Sequence, residues 1–144
     1  MIMISTKGRY ALRVMVDLAQ RRQEGYMPLK EIAQRQGISE KYLESILKSL
    51  VRSRMLVGIR GKGGGYQLTR EPGEYTVAEI LTQAEGDLAP VSCLESGAQP
   101  CPRRDICETL PMWEKLNDLI RQFFEGVTLA DLIVEKGGEK GKDA

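Results

Sequence analysis

The segment from Pro28 to Ser53, "PLKEIAQRQGISEKYLESILKSLVRS", limits the possible folds more than any other part of the chain. Proline suits the opening of a helix, because its φ is already helical and its missing N–H would find no partner there. Leu29, Ile32 and Ala33 then recur at helical spacing, and Gly37 stands where a helix can end on a left-handed residue. Two residues later, Ser39 can cap a second helix. That helix carries the cleanest pattern in the sequence, with Tyr42, Leu43, Ile46, Leu47, Leu50 and Val51 on one stripe. Lys41, Ser45, Lys48 and Arg52, at i, i+4, i+7 and i+11, share another face. A short helix, a glycine turn and a longer helix form a helix-turn-helix, in which the second helix is the one presented outward.

The flanks extend the motif. Ser5 or Thr6 can cap a first helix with Ala11, Met15, Leu18 and Ala19 inward, and Gly25 is expected to end it. Beyond the outward helix, the apolar run Met55-Leu56-Val57 and the alternating Tyr66-Gln67-Leu68-Thr69 enclose "GIRGKGGGY", which reads as two strands around a glycine-rich turn. Two nucleotide-binding patterns fail on this loop. The dinucleotide pattern started at Gly61 needs glycine where Tyr66 stands, and the phosphate loop started at Gly58 needs lysine where Gly64 stands. A flexible linker is the plainer alternative, but the strand-like flanks argue against it. The expected fold is mainly α with a small β-hairpin wing, a winged helix-turn-helix over residues 1–72.

Residues 73–134 read as a second region. Thr76-Val-Ala-Glu79 offers a capping box for a helix bearing Val77, Ile80, Leu81 and Ala84, closed by Gly86. A cysteine-bearing loop broken by Gly97, Pro100 and Pro102 follows. From Pro111 to about Glu125, Met112, Trp113, Leu116, Leu119, Ile120, Phe123 and Phe124 make a stripe too wide for a lone surface helix. Such a helix buries one side against its own domain and the other against a second copy, so a long dimerisation helix is expected. Thr128 can cap a last short helix with Leu129, Leu132 and Ile133, and residues 135–144 are expected to be disordered.

The net charge of +1 hides an asymmetry. Residues 1–70 hold 14 Lys+Arg against 5 Asp+Glu, a net of +9, and residues 71–144 hold 7 against 15, a net of −8. A basic half of that size is the footprint of a nucleic-acid-binding module, although a membrane surface or an acidic protein could also use it. Combined with the helix-turn-helix and wing, it points to double-stranded DNA rather than to a merely solvated helix face. Lys41, Lys48 and Arg52 are then candidates for phosphate or base-edge contacts, and Glu44 could accept from a cytosine amino group. Ser39 and Ser45 are secondary candidates. Arg60 and Lys62 flank Gly61 at the hairpin turn, where Arg60 suits the negative potential of a narrow minor groove. No window approaches a membrane span, and the start "MIMISTKGRY" lacks the apolar core of a secretory signal, so a cytoplasmic protein is expected.

Cys93, Cys101 and Cys107 are the only cysteines and fall in the spacing C-x7-C-x5-C. An odd number in a cytoplasmic chain favours metal or redox chemistry over a disulfide framework. Structural zinc typically has four ligands in close pairs. Three thiols on one loop fit an iron–sulfur cluster with one non-cysteine ligand better. A thiol redox sensor, or thiols without a role, is the alternative. Arg103 and Arg104 are placed to favour the thiolate form. The chain contains no histidine, which removes the commonest general base, and no nucleophile motif is present, so an enzyme is not expected.

Together, "STKGRYALRVMVDLA", "PLKEIAQRQGISEKYLESIL", "VGIRGKGGGYQLTR", "CPRRDIC" and "VTLADLI" resemble the IscR-type winged-helix transcription regulators, a family that includes NsrR and CymR. The resemblance covers nearly the whole chain. It implies a homodimer joined by the helix near residues 110–125, a near-palindromic promoter site, a base-reading face from Ser39 to Lys48 and a wing residue at Arg60. It further implies Cys93, Cys101 and Cys107 as ligands of an iron–sulfur cluster, 2Fe-2S in preference to 4Fe-4S, in a repressor of cluster-assembly genes. A nitric-oxide or redox sensor of the same fold, or a cluster-free regulator of cysteine metabolism acting with a partner enzyme, is the alternative. The chain departs from the family at the fourth ligand. The position three residues after the third cysteine, histidine in IscR, is Leu110, and the acidic first-helix position of NsrR-like members is Arg9. Glu108, Asp105, Glu95, Glu44, an exogenous thiol or water remain to complete the site, with a carboxylate favoured.

Overall fold

The structure is a computed structural model and describes residues 4–133. The tail expected to be disordered therefore lies outside the described residues. Among the described residues, five complete α-helices and a two-stranded antiparallel sheet follow one another as α1 (Thr6–Gln20), α2 (Leu29–Gln36), α3 (Glu40–Arg52), β1 (Leu56–Ile59), β2 (Gly65–Leu68), α4 (Val77–Glu85) and α5 (Leu110–Glu125), and residues 129–133 are helical behind Thr128, whose hydroxyl accepts from the Asp131 N–H at 3.1 Å.

Most helix ends lie where capping chemistry puts them. Ser5, Ser39 and Thr76 occupy the N-caps of α1, α3 and α4, and each side chain accepts an N–H from the first turn. Pro28 sits one place earlier than expected, as the N-cap of α2, and Gly37 closes that helix in the left-handed conformation. Helix α1 ends before Gly25. Arg21, Arg22, Gln23 and Glu24 offer nothing apolar to bury, and the backbone tightens there into a 3-10 turn. At Thr76 the capping box is half made: Thr76 accepts from the Glu79 N–H, but the Glu79 carboxylate turns to a bidentate pairing with Arg70 at 2.9 and 3.0 Å.

The main core joins α1, α2 and α3. Val14, Met15 and Leu18 meet Ile32, Leu43, Ile46, Leu47 and Leu50, and Leu56, Ile80 and Leu129 close its far side. The apolar stripe read on α3 is therefore the core face. The same interface holds a polar anchor at Asp17, which is 4 % exposed and accepts from Arg35 at 2.6 and 2.9 Å and from Gln36 at 2.7 Å. A smaller cluster of Val77, Leu81 and Leu88 receives Ile120 and Phe124 from α5.

Strand register pairs Leu56 with Leu68 and Ile59 with Gly65, leaving residues 60–64 as the turn. A further bridge, Met27 to Tyr66, extends the sheet by a single residue that carries no strand signal in the sequence. It explains Gly65. A side chain at Gly65 would collide with the Met27 carbonyl, and its φ of +147° disfavours one independently. Gly64 is excluded by contact with the Ile59 and Gly61 carbonyls.

Tyr75, fully buried, ties the hairpin base to the second region. Its hydroxyl donates to the Met55 carbonyl at 2.7 Å and accepts from the Thr69 and Arg70 N–H groups at 3.0 and 3.1 Å. Its own carbonyl accepts from Leu129, and Val77 donates to Val127, so the chain beyond α5 is bonded to Tyr75 and its near neighbour Val77. Removing one partner of a buried hydrogen bond strands the other. Tyr75→Phe is expected to cost about 2 kcal/mol in urea unfolding, and a change below about 0.5 kcal/mol would show the network to be dispensable.

Candidate nucleic-acid interface and cysteine site

The exposed face of α3 and the hairpin enclose an open groove of about 730 Å³. Glu44, Lys48 and Arg52 line one wall, and Gly58, Ile59, Arg60 and Gly61 line the other. Pro28, Leu29 and Tyr66 form the floor. Lys41, Ser45 and Ser39 continue the α3 face around Tyr42, next to the groove. Of the eight polar residues singled out in the sequence, all are exposed and six belong to this continuous α3 surface. Arg60 and Lys62 lie at the tip of the hairpin, across from it.

Two of the eight are already engaged. The Ser39 oxygen caps α3 by accepting from Tyr42, and the Ser45 hydroxyl donates to the Tyr42 carbonyl at 2.7 Å. Both remain at the surface but have less capacity for a ligand. Lys48 stands 3.8 Å from Glu44, one turn back, in an exposed pair whose energy is small and screened by salt. A phosphate can compete for such a lysine. The sequence reading placed Tyr42 with the core stripe and missed its second role. It is half-buried, meets Tyr10 edge-on with ring centroids 5.9 Å apart, and borders the α3 surface. Ile59, 49 % exposed on the hairpin wall, was also missed, because an isolated isoleucine in a strand reads as core.

The second site is at the N-terminal end of α5. Cys93, Cys101 and Cys107 line one cavity of about 30 Å³ with Leu94, Arg104, Leu110 and Glu114. Among the described residues, no three His, Cys, Asp or Glu side chains stand close enough together to hold a single metal ion. Three thiols are donors of the kind an iron–sulfur cluster takes, and such a cluster spreads its thiolate ligands over more than one iron. The proposed carboxylate donors Asp105, Glu108 and Glu95 do not line this cavity, and Glu44 lies in the α3 groove.

Cys107 is half-buried, and its thiol is pulled below the ordinary range. The chief cause is the Thr109 hydroxyl, 3.4 Å away, with the Thr109 backbone next and Arg103 contributing least. The two arginines read from the sequence are thus a lesser influence than a neighbouring threonine.

Asp87 pins the loop's entry. Its carboxylate accepts from the Ser96 N–H at 2.6 Å and the Ala89 N–H at 2.7 Å, bracketing Cys93. The Ser96 bond, above all, holds the acid below the usual carboxylate range. Because the folded pKa is depressed, these bonds stabilise the loop above the unfolded pKa of about 3.9 and are lost as pH falls through the folded value. Hydrogen-exchange protection at Ser96 is expected to fall below about pH 4 in this protein. Asp87→Asn should abolish that dependence. Protection unchanged through this range would show that Asp87 does not hold the loop.

The Rrf2 family, described as iron-dependent transcriptional regulators, matches residues 4–135. The HTH-type transcriptional regulator IscR of Serratia proteamaculans is 36 % identical over 130 residues, covering 90 % of this chain and 78 % of the relative. IscR of Aliivibrio salmonicida is 34 % identical over 140 residues, covering 97 % and 82 %. Among solved structures, CymR, the global cysteine regulator of B. subtilis, superposes with a TM-score of 0.75 at 36 % identity, covering 94 % of this chain and 98 % of that one. T. potens IscR gives 0.74 at 35 % identity, covering 93 % and 88 %. No helix among the described residues is long and apolar enough to cross a membrane. The chain therefore belongs to the Rrf2 family, whose members are DNA-binding transcriptional regulators and not enzymes.

Proposed function

We propose that this protein is a dimeric repressor that reads DNA through α3 and the hairpin and responds to an iron–sulfur cluster on Cys93, Cys101 and Cys107, with cluster-assembly genes among its targets. The observation that carries this reading is the convergence of all three thiols on one cavity at the foot of α5, in a chain whose other end presents a cationic groove. The IscR names and iron-dependent description of its relatives support it.

Lys41, Lys48 and Arg52 hold phosphates or base edges, Glu44 accepts from a cytosine amino group, and Ser39 and Ser45 make lesser contacts. Arg60, with Lys62, enters the adjoining minor groove. On α5, Met112, Leu119 and Phe123 are 54, 58 and 66 % exposed along one face, and Ile120 and Phe124, about 100° around the helix, pack on α4. A second copy covers that stripe. Two reading helices then sit about 34–36 Å apart on a near-palindromic site.

When bound, the cluster supplies a redox-sensitive centre, 2Fe-2S rather than 4Fe-4S by likeness to IscR. The chain does the rest. Helix α5 starts three residues after Cys107, and the segment that follows it is bonded to Tyr75 and Val77, the first of which holds the hairpin base. A coupling of about 1–3 kcal/mol through this path would alter DNA occupancy some five- to 150-fold.

The test is anaerobic purification with iron, sulfide and visible-absorption measurements, followed by selection of bound genomic fragments with loaded and cluster-free protein. Iron and sulfide in matching amounts, and a fivefold or larger change in operator affinity, are expected. The likeness to CymR, the global cysteine regulator of B. subtilis, favours a second reading, a cluster-free regulator acting with a partner enzyme. A colourless protein with zinc or no metal after anaerobic reconstitution would remove the cluster reading.

A further inference from the structure

The cavity between the three thiols has one other side chain able to ligate iron. Leu94 and Leu110 have no donor atom, and Arg104 carries no lone pair to offer. Glu114 lies one helical turn beyond Leu110 on the same face of α5. Side chains on a helix tilt toward its N-terminus, so a glutamate at that place reaches back over the first turn, toward the loop. Arg104 borders the same cavity and offsets the charge that three thiolates and a carboxylate bring together.

We propose that Glu114 is the non-cysteine ligand of the cluster. This rests on the cluster reading above. It replaces the earlier candidates Asp105, Glu108, Glu95 and Glu44, none of which lines the cavity. The binding event is a ligand exchange with no net oxidation: a carboxylate oxygen displaces water or an exogenous thiol from iron. One rigid helix then connects the metal to the exposed α5 face, so cluster loss frees the start of the dimerisation helix as well as the loop.

Glu114 is exposed and outside both apolar clusters, so its replacement should leave the fold intact, and circular dichroism checks this. Full-length wild type, Glu114→Gln and Glu114→His are reconstituted anaerobically with ferrous iron and sulfide. Their reduced forms are compared by electron paramagnetic resonance and pulsed electron–nuclear double resonance. In Glu114→Gln the signal is expected to change shape, and cluster loss to a chelator to quicken by about tenfold or more, since even outer-sphere changes alter metal affinity by about 10- to 100-fold. In Glu114→His a strong nitrogen hyperfine coupling absent from the wild type should appear, because the new imidazole stands at iron. If the wild type holds a cluster and Glu114→His shows no nitrogen coupling, Glu114 is not the ligand, whatever the stability of the variants. Failure of the wild type to hold iron and sulfide at all is a distinct result that removes the cluster reading itself.

Discussion

Asp17→Ala should lower the stability of this protein by about 3–5 kcal/mol, the range found when one partner of a buried ion pair is removed. The carboxylate is almost wholly enclosed and carries three hydrogen bonds from α2, two of them from a guanidinium. Taking it away leaves half-buried Arg35 with only the exposed Glu31, 3.9 Å away, as an acidic neighbour. The Arg35 pKa is already raised, chiefly by its hydrogen bond to Asp17. For a chain of this size the loss corresponds to a melting point lower by about 10–15 °C. The consequence is local as well as global, because Asp17 and the adjoining core contacts set the angle at which α2 leaves α1, and α2 in turn supports α3. Urea unfolding reads the effect directly, and a loss under about 1 kcal/mol would mean that water or Glu31, whose carboxylate lies 3.9 Å from Arg35, takes over the role. Replacing Asp17 and Arg35 together by leucine and methionine should cost less than Asp17→Ala alone, since no charge is then left unpaired.

Much of this arrangement was legible in the sequence because it follows from local rules. The caps at Ser5, Ser39 and Thr76, the stop at Gly37 and the core stripe of α3 each follow from a few neighbouring residues. What the sequence could not supply were contacts between distant residues. Asp17 reads as one more polar residue on α1 until Arg35 and Gln36 arrive from α2. Glu79 reads as half of a capping box until Arg70 takes its carboxylate. The hairpin strands are displaced from the apolar runs that announce them, because Met55 turns inward to meet Tyr75, while Gly58 and Ile59 pair with Tyr66 and Gly65. The same limit applies to the cysteine site. Counting neighbours of the cysteines in sequence singled out Asp105 and Glu108, but helical periodicity brings Glu114, seven residues after Cys107, to the cavity. The usable signal was the i, i+4 relation to Leu110.

Substituting both Lys48 and Arg60 by alanine should be the most damaging change to DNA binding that leaves the fold untouched. Both side chains are exposed, and they face one groove from opposite walls, so one contact from the helix and one from the hairpin are lost together. A phosphate-contacting lysine and a groove-reading arginine are each worth about 1–3 kcal/mol. The pair should therefore weaken binding by roughly 30- to 25,000-fold per copy at fixed salt. Salt dependence separates this from a general loss of charge. Each neutralised phosphate contributes about 0.9 to the slope of log K against log salt, so four missing cations in the proposed dimer should flatten it by about 3 to 4. Arg121→Ala on α5 reduces the net charge without touching the groove and should leave the slope nearly unchanged. If the Lys48→Ala/Arg60→Ala protein kept its affinity and slope for the selected operator, the groove between α3 and the hairpin would not be where DNA lies. Lys41 and Arg52, on the remaining α3 surface, would then have to be tested as part of a different approach to the duplex.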